Sequence, residues 1–376
     1  MNHSYWDKAL FPDCAQLVVV GGGIVGLSAA IHAKMANPSH EIVVLEKGLT
    51  PAGASSKNAG FVCFGSLSEI LDDLQNSDED EIVALVKRRL EGIDYLVRLI
   101  GRDKLLYEEN GGFEVFTPEL SQLHALSMDR MEHINGILKP IFGERVFKPN
   151  DYQLKDFGLQ GFSHMISNRF EGQLNTAKML QALIQLAREK GVQVICGAEV
   201  GSWEELASSV EVALLSGQAI QCKKLLLATN GFTGNLIPGL DVRPTRAQVL
   251  ISEPVEGLKL KGAFHMDRGY YYFRDVDGRV LLGGARNIAI DEEYTTDTNT
   301  SAIILNHLED FLKKHILPGQ DTPVAMRWTG LMATGATKEP IVKKITDRLG
   351  VAVRLGGMGV AIGTLVGKEA AAMMER

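Results

Sequence analysis

Residues 17–26 read LVVVGGGIVG, and this stretch decides the fold. A β-branched apolar run enters three consecutive glycines, and a helical pattern follows at once. Gly21 permits a tight turn, Gly23 lets backbone N–H groups approach a pyrophosphate, and Gly26 allows the helix to pack closely on the strand. The stretch therefore predicts a strand, turn and helix that bind a dinucleotide at the helix N-terminus. The predicted contacts are Gly21, Gly23, Ile24, Val25 and Gly26.

The next strand specifies the kind of dinucleotide. An apolar run, Ile42 to Leu45, ends on Glu46. A carboxylate at this position can accept both hydroxyls of an adenosine ribose, and its charge would repel a 2′-phosphate. We therefore predict FAD or NAD rather than NADP, with Glu46 and its neighbour Lys47 as contacts. An ordinary strand-to-helix turn, the alternative, does not require this acidic residue.

Composition bounds the protein class. The chain has 376 residues, 45% hydrophobic and 23% charged, which is typical of a globular protein with two domains. A net charge of −7 without a Lys/Arg stripe argues against nucleic-acid binding. No apolar run reaches the roughly 18–20 residues of a membrane span, and the N-terminus lacks the pattern of a secretory signal. The four cysteines have no CxxC spacing, which predicts reduced thiols in a cytoplasmic protein and no metal site.

Three later segments have the features of a cofactor-binding domain. Residues 51–66 form a small-residue loop directly after the second strand, and residues 224–231 (KLLLATNG) predict a buried strand with a small-residue turn. Residues 351–359 predict a strand and a glycine turn before a C-terminal helix, whose positive end would stabilise charge on a reduced flavin ring. This last feature favours FAD over NAD. The predicted contacts are Ala54, Ser55, Ser56, Asn58, Ala59, Gly60, Val200, Ala228, Thr229, Asn230, Gly231, Gly330, Gly356, Gly357, Met358, Gly359, Val360 and Ala361.

The remaining segments predict a second domain built on an antiparallel sheet. Its helical segments carry apolar residues at helical spacing with many charges, and Asp277-Gly278 predicts a hairpin turn. A helix with Thr176 near its cap belongs to the cofactor domain. The predicted helices are 78–100, 118–138, 176–190 and 300–314, and the further strands are 111–116, 192–196, 246–252, 270–274 and 279–284.

Together these motifs resemble the flavin-dependent D-amino-acid oxidase superfamily, which includes glycine oxidase and sarcosine oxidase. The resemblance rests on VVVGGGIVG with its Glu46, GASSKNAG, LLLATNG and RLGGMGVAIG, in this order. FEGQLN, PTRAQ, YYFR and RWTGL extend it over essentially the whole chain. Within the superfamily the chain looks most like the γ-glutamylputrescine oxidoreductase branch.

The resemblance implies an α/β fold with two domains. A Rossmann-like FAD-binding domain with a central parallel sheet would comprise residues 1–75, 160–243 and 327–376. A substrate domain on an antiparallel sheet would comprise residues 76–159 and 244–326. The implied reaction transfers a hydride from an amine or amino acid to flavin N5 and gives an imine that water hydrolyses, after which oxygen or an electron carrier accepts the electrons.

Some positions depart from the family pattern. Glycine-oxidase-like members carry a carboxylate-binding arginine in the segment matching 330–332, where this chain has Met332. Met332 also replaces the flavin-linking cysteine of sarcosine-oxidase-like members, and the loop at 53–60 has no flavin-linking histidine, so we expect non-covalent FAD. Leu282 stands where sarcosine oxidases have an oxygen-activating lysine. The missing arginine favours amines over simple amino acids, and the missing lysine argues against fast oxidase turnover.

The predicted substrate strand contains three tyrosines. Alternation puts Tyr271 and Phe273 on one face and Tyr270, Tyr272 and Arg274 on the other. The resemblance implies a tyrosine in the pocket, and we assign this role to Tyr271, with packing in the core as its alternative.

Other candidates at the substrate side each have a structural alternative. Arg274 is a candidate carboxylate ligand or a surface ion pair. Trp328 and Met332 complete the predicted substrate residues, although Trp328 is equally suited to anchoring a domain interface. His265 and Cys63 are interpreted as structural rather than as a proton carrier and a reactive thiol.

We therefore expect an FAD-dependent oxidoreductase acting on the C–N bond of a small-molecule amine or amino acid. The alternatives are a 2-hydroxy-acid oxidoreductase on the same scaffold, a flavoprotein subunit active only with a partner, and an NAD-linked dehydrogenase. The substrate, the electron acceptor and the oligomeric state stay open at this point.

Overall fold

The structure is a computed structural model that describes Trp6, residues 11–320 and residues 322–376. Residues 1–5 and 7–10, which belong to the N-terminal stretch judged above for a signal peptide, lie outside the described residues. Among the described helices, none is long and apolar enough to cross a membrane.

Strands and helices alternate along much of the chain. The strands are β1 (Cys14–Val20), β2 (Ile42–Glu46), β3 (Phe61–Val62), β4 (Gly112–Phe116), β5 (Lys148–Pro149), β6 (His164–Asn168), β7 (Gly172–Gln173), β8 (Gln193–Cys196), β9 (Val200–Glu205), β10 (Val210–Leu214), β11 (Ala219–Leu227), β12 (Arg243–Ser252), β13 (Ala263–Met266), β14 (Tyr271–Val276), β15 (Arg279–Gly284), β16 (Val324–Thr334), β17 (Ile341–Lys344) and β18 (Leu349–Val353). The helices are α1 (Ile24–Ala36), α2 (Ala54–Lys57), α3 (Leu67–Asp73), α4 (Glu79–Ile100), α5 (Arg102–Leu105), α6 (Ser121–Phe142), α7 (Thr176–Glu189), α8 (Thr233–Leu236), α9 (Ala302–Phe311) and α10 (Gly359–Glu375).

The first sheet has the strand order β17-β18-β11-β1-β2-β8. β1 is parallel to β2 and β11, β11 is parallel to β18, and β2 is parallel to β8. β9 and β10 extend the sheet as antiparallel strands from β11. Because β1, β2, β11 and β18 run in the same direction, their carboxyl ends meet at one edge, where ligands of open α/β sheets bind. The predicted cofactor motifs all follow these ends.

The second sheet has the order β16-β12-β15-β14-β13-β4-β6-β5. Its pairs are antiparallel except for β13 with β4, which are parallel. β6 and all of β16 pair within this sheet, although the predicted domain boundaries at 160 and 327 assign β6 and most of β16 to the cofactor domain. The division into two domains stays a prediction, and the sheet membership of these strands is the observed fact.

Four helices contribute to the core on one face of the first sheet. Apolar residues of α1, α4, α7 and α10 pack with alternate residues of β1 and β2. The other residues of these strands, such as Val18 and Val43, pack in a separate core with β10. Burial on both faces explains why β1 and β2 are continuous apolar runs rather than alternating ones.

The predicted elements are present, with shifted ends. α7 begins at Thr176 with Asn175 as its N-cap, whose Oδ1 accepts a hydrogen bond from Lys178 N at 3.0 Å. Thr176 was predicted near the cap, and the cap is its neighbour Asn175, whose side chain satisfies a free N–H group of the first turn. The helix expected at 300–314 is α9, followed by a π-helical turn at Leu312–Ile316.

Candidate cofactor and substrate site

The glycine turn between β1 and α1 is shaped by close backbone approach. Gly21 has φ +111°, and a Cβ there would lie 2.6 Å from the carbonyl oxygen of Ala228. A Cβ on Gly23 would lie 2.7 Å from Ser55 Oγ, which accepts a hydrogen bond from Ile24 N at 3.0 Å. Gly26 lies behind this turn, against the carbonyl of Gly21. Gly21 and Gly23 therefore keep the N-terminus of α1 open, and Gly26 allows the helix to pack on the strand.

Glu46 holds the glycine turn and also faces the cavity. Its Oε2 accepts a hydrogen bond from Gly22 N at 2.9 Å, and its Oε1 accepts one from Gly48 N at 2.9 Å. The side chain is buried, yet it contributes to the cavity wall together with Lys47. The Lys47 Nζ lies 3.9 Å from the centroid of the Phe232 ring. Each carboxylate oxygen can accept more than one hydrogen bond, so capacity for ligand hydroxyls is left.

The loop at residues 53–60 is held by two residues that the sequence analysis placed near the substrate. Trp328 Nε1 donates a hydrogen bond to the carbonyl of Lys57 at 3.0 Å. Arg274 donates through the same terminal nitrogen to the carbonyls of Ala59 at 3.1 Å and Leu174 at 2.9 Å. Burial lowers the pKa of Arg274 to about 10. Both side chains therefore position the loop, and neither lies on the cavity wall. Arg274 is not a surface ion pair either, and the contact of Trp328 with Lys57 lies within the predicted FAD-binding domain rather than between domains.

A single cavity of about 640 Å³ joins the predicted cofactor segments to the second sheet. Gly231 and Ser56 lie behind its wall: a Cβ on Gly231 would meet the carbonyl of Met332 at 2.6 Å, and Ser56 Oγ donates to the carbonyl of Gly53 at 3.2 Å. The predicted residues on the wall are Gly21, Gly23, Ile24, Val25, Glu46, Lys47, Ala54, Ser55, Asn58, Ala59, Gly60, Val200, Ala228, Thr229, Asn230, Gly330, Met332, Gly356, Gly357, Met358, Gly359, Val360 and Ala361.

The C-terminal glycine turn brings a second helix end to the cavity. Gly356 and Gly357 have φ of +55° and +86°, and α10 begins at Gly359. Met332 lies beside this turn, with its Sδ 3.5 Å from the position of a Cβ on Gly357. Two helix N-termini, those of α1 and α10, therefore face one cavity, and both can stabilise negative charge on a ligand.

The face of β14 that lines the cavity is the opposite of the one predicted from the sequence. Alternation along the strand is as expected, but Tyr271 and Phe273 point into the core of the second sheet. The Tyr271 ring stacks on Phe311 at 5.2 Å between centroids, and its hydroxyl forms a 2.9 Å hydrogen bond with His307 Nε2. Tyr270 and Tyr272, from the other face, line the cavity. Burial raises the pKa of Tyr272 to about 12, so its hydroxyl is protonated at neutral pH.

His265 and Cys63 lie together on the cavity wall with a buried carboxylate behind them. His265 Nε2 lies 3.1 Å from Glu171 Oε2, and donor atoms of Cys63, Glu171 and His265 lie within 4.8 Å of one another. Burial is the largest single influence and disfavours the imidazolium, but attraction by Glu171, the hydrogen bond to Glu171 and attraction by Glu69 and Glu114 together outweigh it and raise the pKa of His265. Burial and the nearby Glu171 charge raise the pKa of Cys63 well above its ordinary value. The group is thus a His–Glu ion pair beside a protonated thiol.

Tyr272, Arg268 and Arg286 line the cavity although no sequence motif indicated them, and His265, which was predicted to be structural, also lies on the wall. Alternation separated the two tyrosine faces but gave no means of choosing between them. The choice depends on which face of the sheet the α9 region covers, and that pairing is distant in sequence.

Comparison with known families identifies the family of the chain. The family model named DAO, FAD dependent oxidoreductase, matches residues 16–373. The chain belongs to this family.

The fold of this FAD dependent oxidoreductase is shared with solved structures at low sequence identity. Glycine oxidase from Geobacillus kaustophilus has a TM-score of 0.75 at 20% identity, covering 97% of this chain and 95% of that one. L-Proline dehydrogenase from P. horikoshii has 0.73 at 18%, covering 97% and 94%. Dithionite-reduced L-α-glycerophosphate oxidase from Mycoplasma pneumoniae, solved with FAD bound, has 0.74 at 15%, covering 96% and 95%. No functionally curated protein matches the chain.

The residues present fit the FAD that this FAD dependent oxidoreductase uses. A Cβ at Gly21 or Gly23 would close the cradle at the N-terminus of α1, and Glu46 faces the cavity at the end of β2. The cavity then continues past the loop at 53–60 to the N-terminus of α10. This arrangement provides an acceptor for ribose hydroxyls, N–H donors for phosphates and a second positive helix end for the ring.

Proposed function

We propose that this protein oxidises the C–N bond of an amine or amino acid, with FAD held non-covalently. The observation that carries the proposal is the continuous cavity, which runs from Glu46 and the glycine cradle to Tyr270 and Tyr272 on the second sheet. A substrate bound against β14 would therefore lie in the same space as the redox end of the cofactor. The names of the glycine oxidase and proline dehydrogenase structures support this reaction class.

The cavity residues have defined roles in this proposal. The cradle at Gly21 and Gly23 would bind the pyrophosphate, Glu46 the ribose, and the loop at 53–60 and the α10 terminus the flavin ring. When bound, FAD would supply the acceptor for the hydride that leaves the substrate carbon. The substrate becomes an imine, which water hydrolyses to a carbonyl compound and an amine or ammonia. Oxygen or an electron carrier is the final acceptor.

The protein's own residues prepare the substrate for this step. Phe61, Tyr272 and Met332 form apolar parts of the wall that limit water beside the reacting carbon. A less hydrated environment favours the neutral amine, which is the form that releases a hydride. His265 lines the cavity and its Nε2 lies 3.1 Å from Glu171 Oε2, so this pair can hold a proton beside the cavity. Phe61 packs edge-on against the imidazole at 5.1 Å between ring centroids.

The domain division follows the same logic. We propose that residues 1–75, 160–243 and 327–376 form the FAD-binding domain, and that residues 76–159 and 244–326 form the substrate domain. The glycine cradle and α10 belong to the first set, whereas β14 belongs to the second. β6 and β16 cross between the sets through their pairing with the second sheet.

Oxidation of a C–O bond is the second candidate, in the form of a 2-hydroxy-acid oxidoreductase. The glycerophosphate oxidase structure shares the fold over 96% of this chain, and its name states an alcohol substrate. The cavity chemistry described above does not by itself discriminate an amine from an alcohol.

An absorption spectrum followed by anaerobic substrate titration tests the proposal. We expect flavin bands that bleach with amines or amino acids and persist with 2-hydroxy acids. Bleaching by hydroxy acids alone would support the second candidate. Flavin that no substrate bleaches would indicate a subunit that needs a partner, and a colourless protein that FAD does not stabilise would contradict the cofactor assignment. Acid precipitation should release the flavin, because the attachment is non-covalent.

A further inference from the structure

Cys63, Glu171 and His265 bring a sulfur, an oxygen and a nitrogen atom together at the wall of the cavity. Their ligand atoms lie within 4.8 Å of one another, and all three side chains are buried. Cys63 and His265 line the cavity, and Glu171 lies behind them. Among the described residues, no other three side chains of these types bring their ligand atoms so close. A metal ion that enters the cavity therefore meets a thiol and an imidazole, with a carboxylate directly behind them.

The Glu171 carboxylate is oriented by backbone groups of the loop that carries the thiol. Its Oε1 accepts hydrogen bonds from Phe64 N at 3.1 Å and from Gly65 N at 3.3 Å, so Oε2 is the oxygen that reaches His265. Gly112 makes room for this oxygen, because a Cβ on Gly112 would overlap it. Hydrogen bonds behind a ligand orient it for metal binding. The carboxylate and the thiol are thus held relative to each other by the same short segment.

The spacing of the three ligand atoms is close to that of a tetrahedral zinc site. Zn–S bonds of about 2.3 Å and Zn–N or Zn–O bonds of about 2.0–2.2 Å place neighbouring ligand atoms roughly 3.3–3.6 Å apart. His265 Nε2 and Glu171 Oε2 are 3.1 Å apart, so these two atoms need little change. The Cys63 sulfur lies within 4.8 Å of both and must approach them by about 1.5 Å at most.

Zinc binding would leave the total charge of this buried group unchanged. Without a metal, the group consists of a neutral thiol, an imidazolium and a carboxylate, which sum to zero. Zn²⁺ binds a thiolate, a neutral imidazole and a carboxylate, so two protons leave as the dication enters and the sum is again zero. The exchange therefore avoids the cost of adding a net charge to a buried site.

The ligand types select the class of metal. A sulfur, a nitrogen and an oxygen ligand suit Zn²⁺, whereas Mg²⁺ and Ca²⁺ prefer oxygen ligands alone. Three protein ligands leave the fourth position of a tetrahedral zinc ion for water or another ligand. Because Cys63 and His265 are the two ligands on the wall, this fourth position would open toward the cavity.

We propose that Cys63, Glu171 and His265 form a zinc site that Zn²⁺ enters through the cavity, with water or a cavity ligand at the fourth position. Bound zinc takes the His265 nitrogen that otherwise holds a proton and occupies space assigned to the substrate, so it inhibits the oxidation. The inhibition rests on the proposed function, whereas zinc binding does not. Cysteine spacing predicted no metal site, and it could not indicate this one, because the three residues lie in separate segments of the chain.

Zinc binding to the holoenzyme tests the site directly. The holoenzyme is treated with a chelator, separated from it, and titrated with Zn²⁺ in competition with a zinc-responsive dye. We expect one zinc ion per chain, which excess Mg²⁺ does not displace. X-ray absorption at the zinc edge should show one sulfur at about 2.3 Å, with the remaining nitrogen and oxygen ligands at about 2.0–2.2 Å.

Substitutions identify the ligands. Cys63→Ser, His265→Gln and Glu171→Gln should each weaken zinc binding at least about tenfold, which is what the loss of even a supporting partner costs. The matched controls are Cys14→Ser, which removes an exposed thiol, and His164→Gln, which removes an imidazole that does not line the cavity. Both controls should keep the wild-type affinity.

Three results would each overturn the site. They are a zinc ion without a sulfur ligand, wild-type affinity in Cys63→Ser, and absence of zinc binding to the wild type. Flavin content and melting temperature of each variant show whether it is folded. The absorption spectrum of zinc in the wild type decides the question even where a buried substitution prevents folding.

Anaerobic flavin reduction separates the zinc site from the proposed function. Zn²⁺ at ten times its dissociation constant leaves about one chain in eleven free, so a substrate well below saturation should reduce the flavin about tenfold more slowly. A chelator should restore the rate, and Cys63→Ser should be slowed less. An unchanged rate with zinc bound would overturn the inhibition. Zinc bound through sulfur, in a protein whose flavin no substrate bleaches, would retain the site and reject the proposed function.

Discussion

At the residue scale, the Glu46 side chain both holds the backbone around the glycine turn and lines the cavity. It accepts hydrogen bonds from Gly22 N and Gly48 N and it faces the cavity. We predict that Glu46→Ala raises the FAD dissociation constant at least about tenfold, because the proposed acceptor of the ribose hydroxyls is lost and the N–H groups of Gly22, Gly48 and Ala52 lose their partner. Fluorescence titration of the apoprotein with FAD measures this. Glu199→Ala, which removes an exposed carboxylate of the same cavity, should have a smaller effect; equal dissociation constants for Glu46→Ala and wild type would reject the assignment.

The two tyrosines of β14 provide a direct comparison of sequence-based and structure-based assignments. We predict that Tyr272→Phe changes the rate of anaerobic flavin reduction, because it removes a hydroxyl from the cavity wall. Tyr271→Phe should instead act on stability, because it removes the 2.9 Å hydrogen bond to His307. Stopped-flow reduction and thermal unfolding of both variants check this. Slower reduction in Tyr271→Phe alone would restore the original assignment of Tyr271.

The His265–Glu171 pair makes stability depend on pH. Burial opposes the charge of His265, yet attraction by Glu171, with further contributions from Glu69 and Glu114, raises its pKa above the ordinary 6.5. The unfolded chain therefore loses this proton first, and the stabilising contribution, complete below pH 6.5, is lost as the pH rises through the higher folded value. We predict that the difference in unfolding free energy between wild type and His265→Gln falls as the pH rises above about 6.5. Denaturant unfolding across this range measures it, and a constant difference would contradict the pairing.

Some residue positions could be predicted from the sequence and others could not. The glycine turn and Glu46 were predictable because each has a local conformational or charge requirement within a short segment. Arg274 was not, because its partners are the carbonyls of Ala59, Gly60 and Leu174, which lie far away in sequence. A buried arginine bound to backbone carbonyls leaves no signal in the residues around it.

At the scale of secondary-structure elements, α10 packs in close contact with α1. Ser28 Oγ donates to the carbonyl of Thr364 at 2.7 Å, and a Cβ on Gly367 would lie 2.6 Å from the carbonyl of Val25 and 2.8 Å from Ala29 N. These are backbone atoms of α1, so they cannot rotate away. Since α10 also presents its N-terminus to the cavity, this contact fixes part of the proposed flavin site.

We predict that Gly367→Ala lowers the unfolding free energy by about 1–3 kcal/mol, because the added methyl group forces the two helices apart. Gly136 in α6 is a matched control: it is exposed, and a Cβ there would meet nothing within 4 Å. Gly136→Ala should raise stability by about 0.4–1 kcal/mol through the lower entropy of the unfolded chain. Denaturant unfolding of the apoprotein measures both. Equal effects of the two substitutions would show that α10 and α1 are not in close contact.

The sequence identified most elements but not all of their partners. The parallel strands were predictable because continuous apolar runs followed by small-residue turns are typical of buried strands. The sheet membership of β6 and β16 was not, since it depends on pairing with β4 and β12, and period-2 patterning does not specify a partner strand. The same lack of information left the cavity face of β14 undecided.

At the scale of the whole molecule, the cavity connects the two sheets, so a ligand that fills it must couple them. The glycine cradle and α10 contribute from the first sheet, and β14 contributes Tyr272 from the second. We predict that apoprotein supplied with FAD at 100 times its dissociation constant gains about 2.7 kcal/mol of stability and unfolds in one transition. NAD at the same concentration should not produce this shift. Calorimetry with FAD, with NAD and without ligand measures the stability and the number of transitions. Stabilisation by NAD would contradict the cofactor assignment. Two transitions of which FAD shifts only one would contradict a cofactor that contacts both sheets.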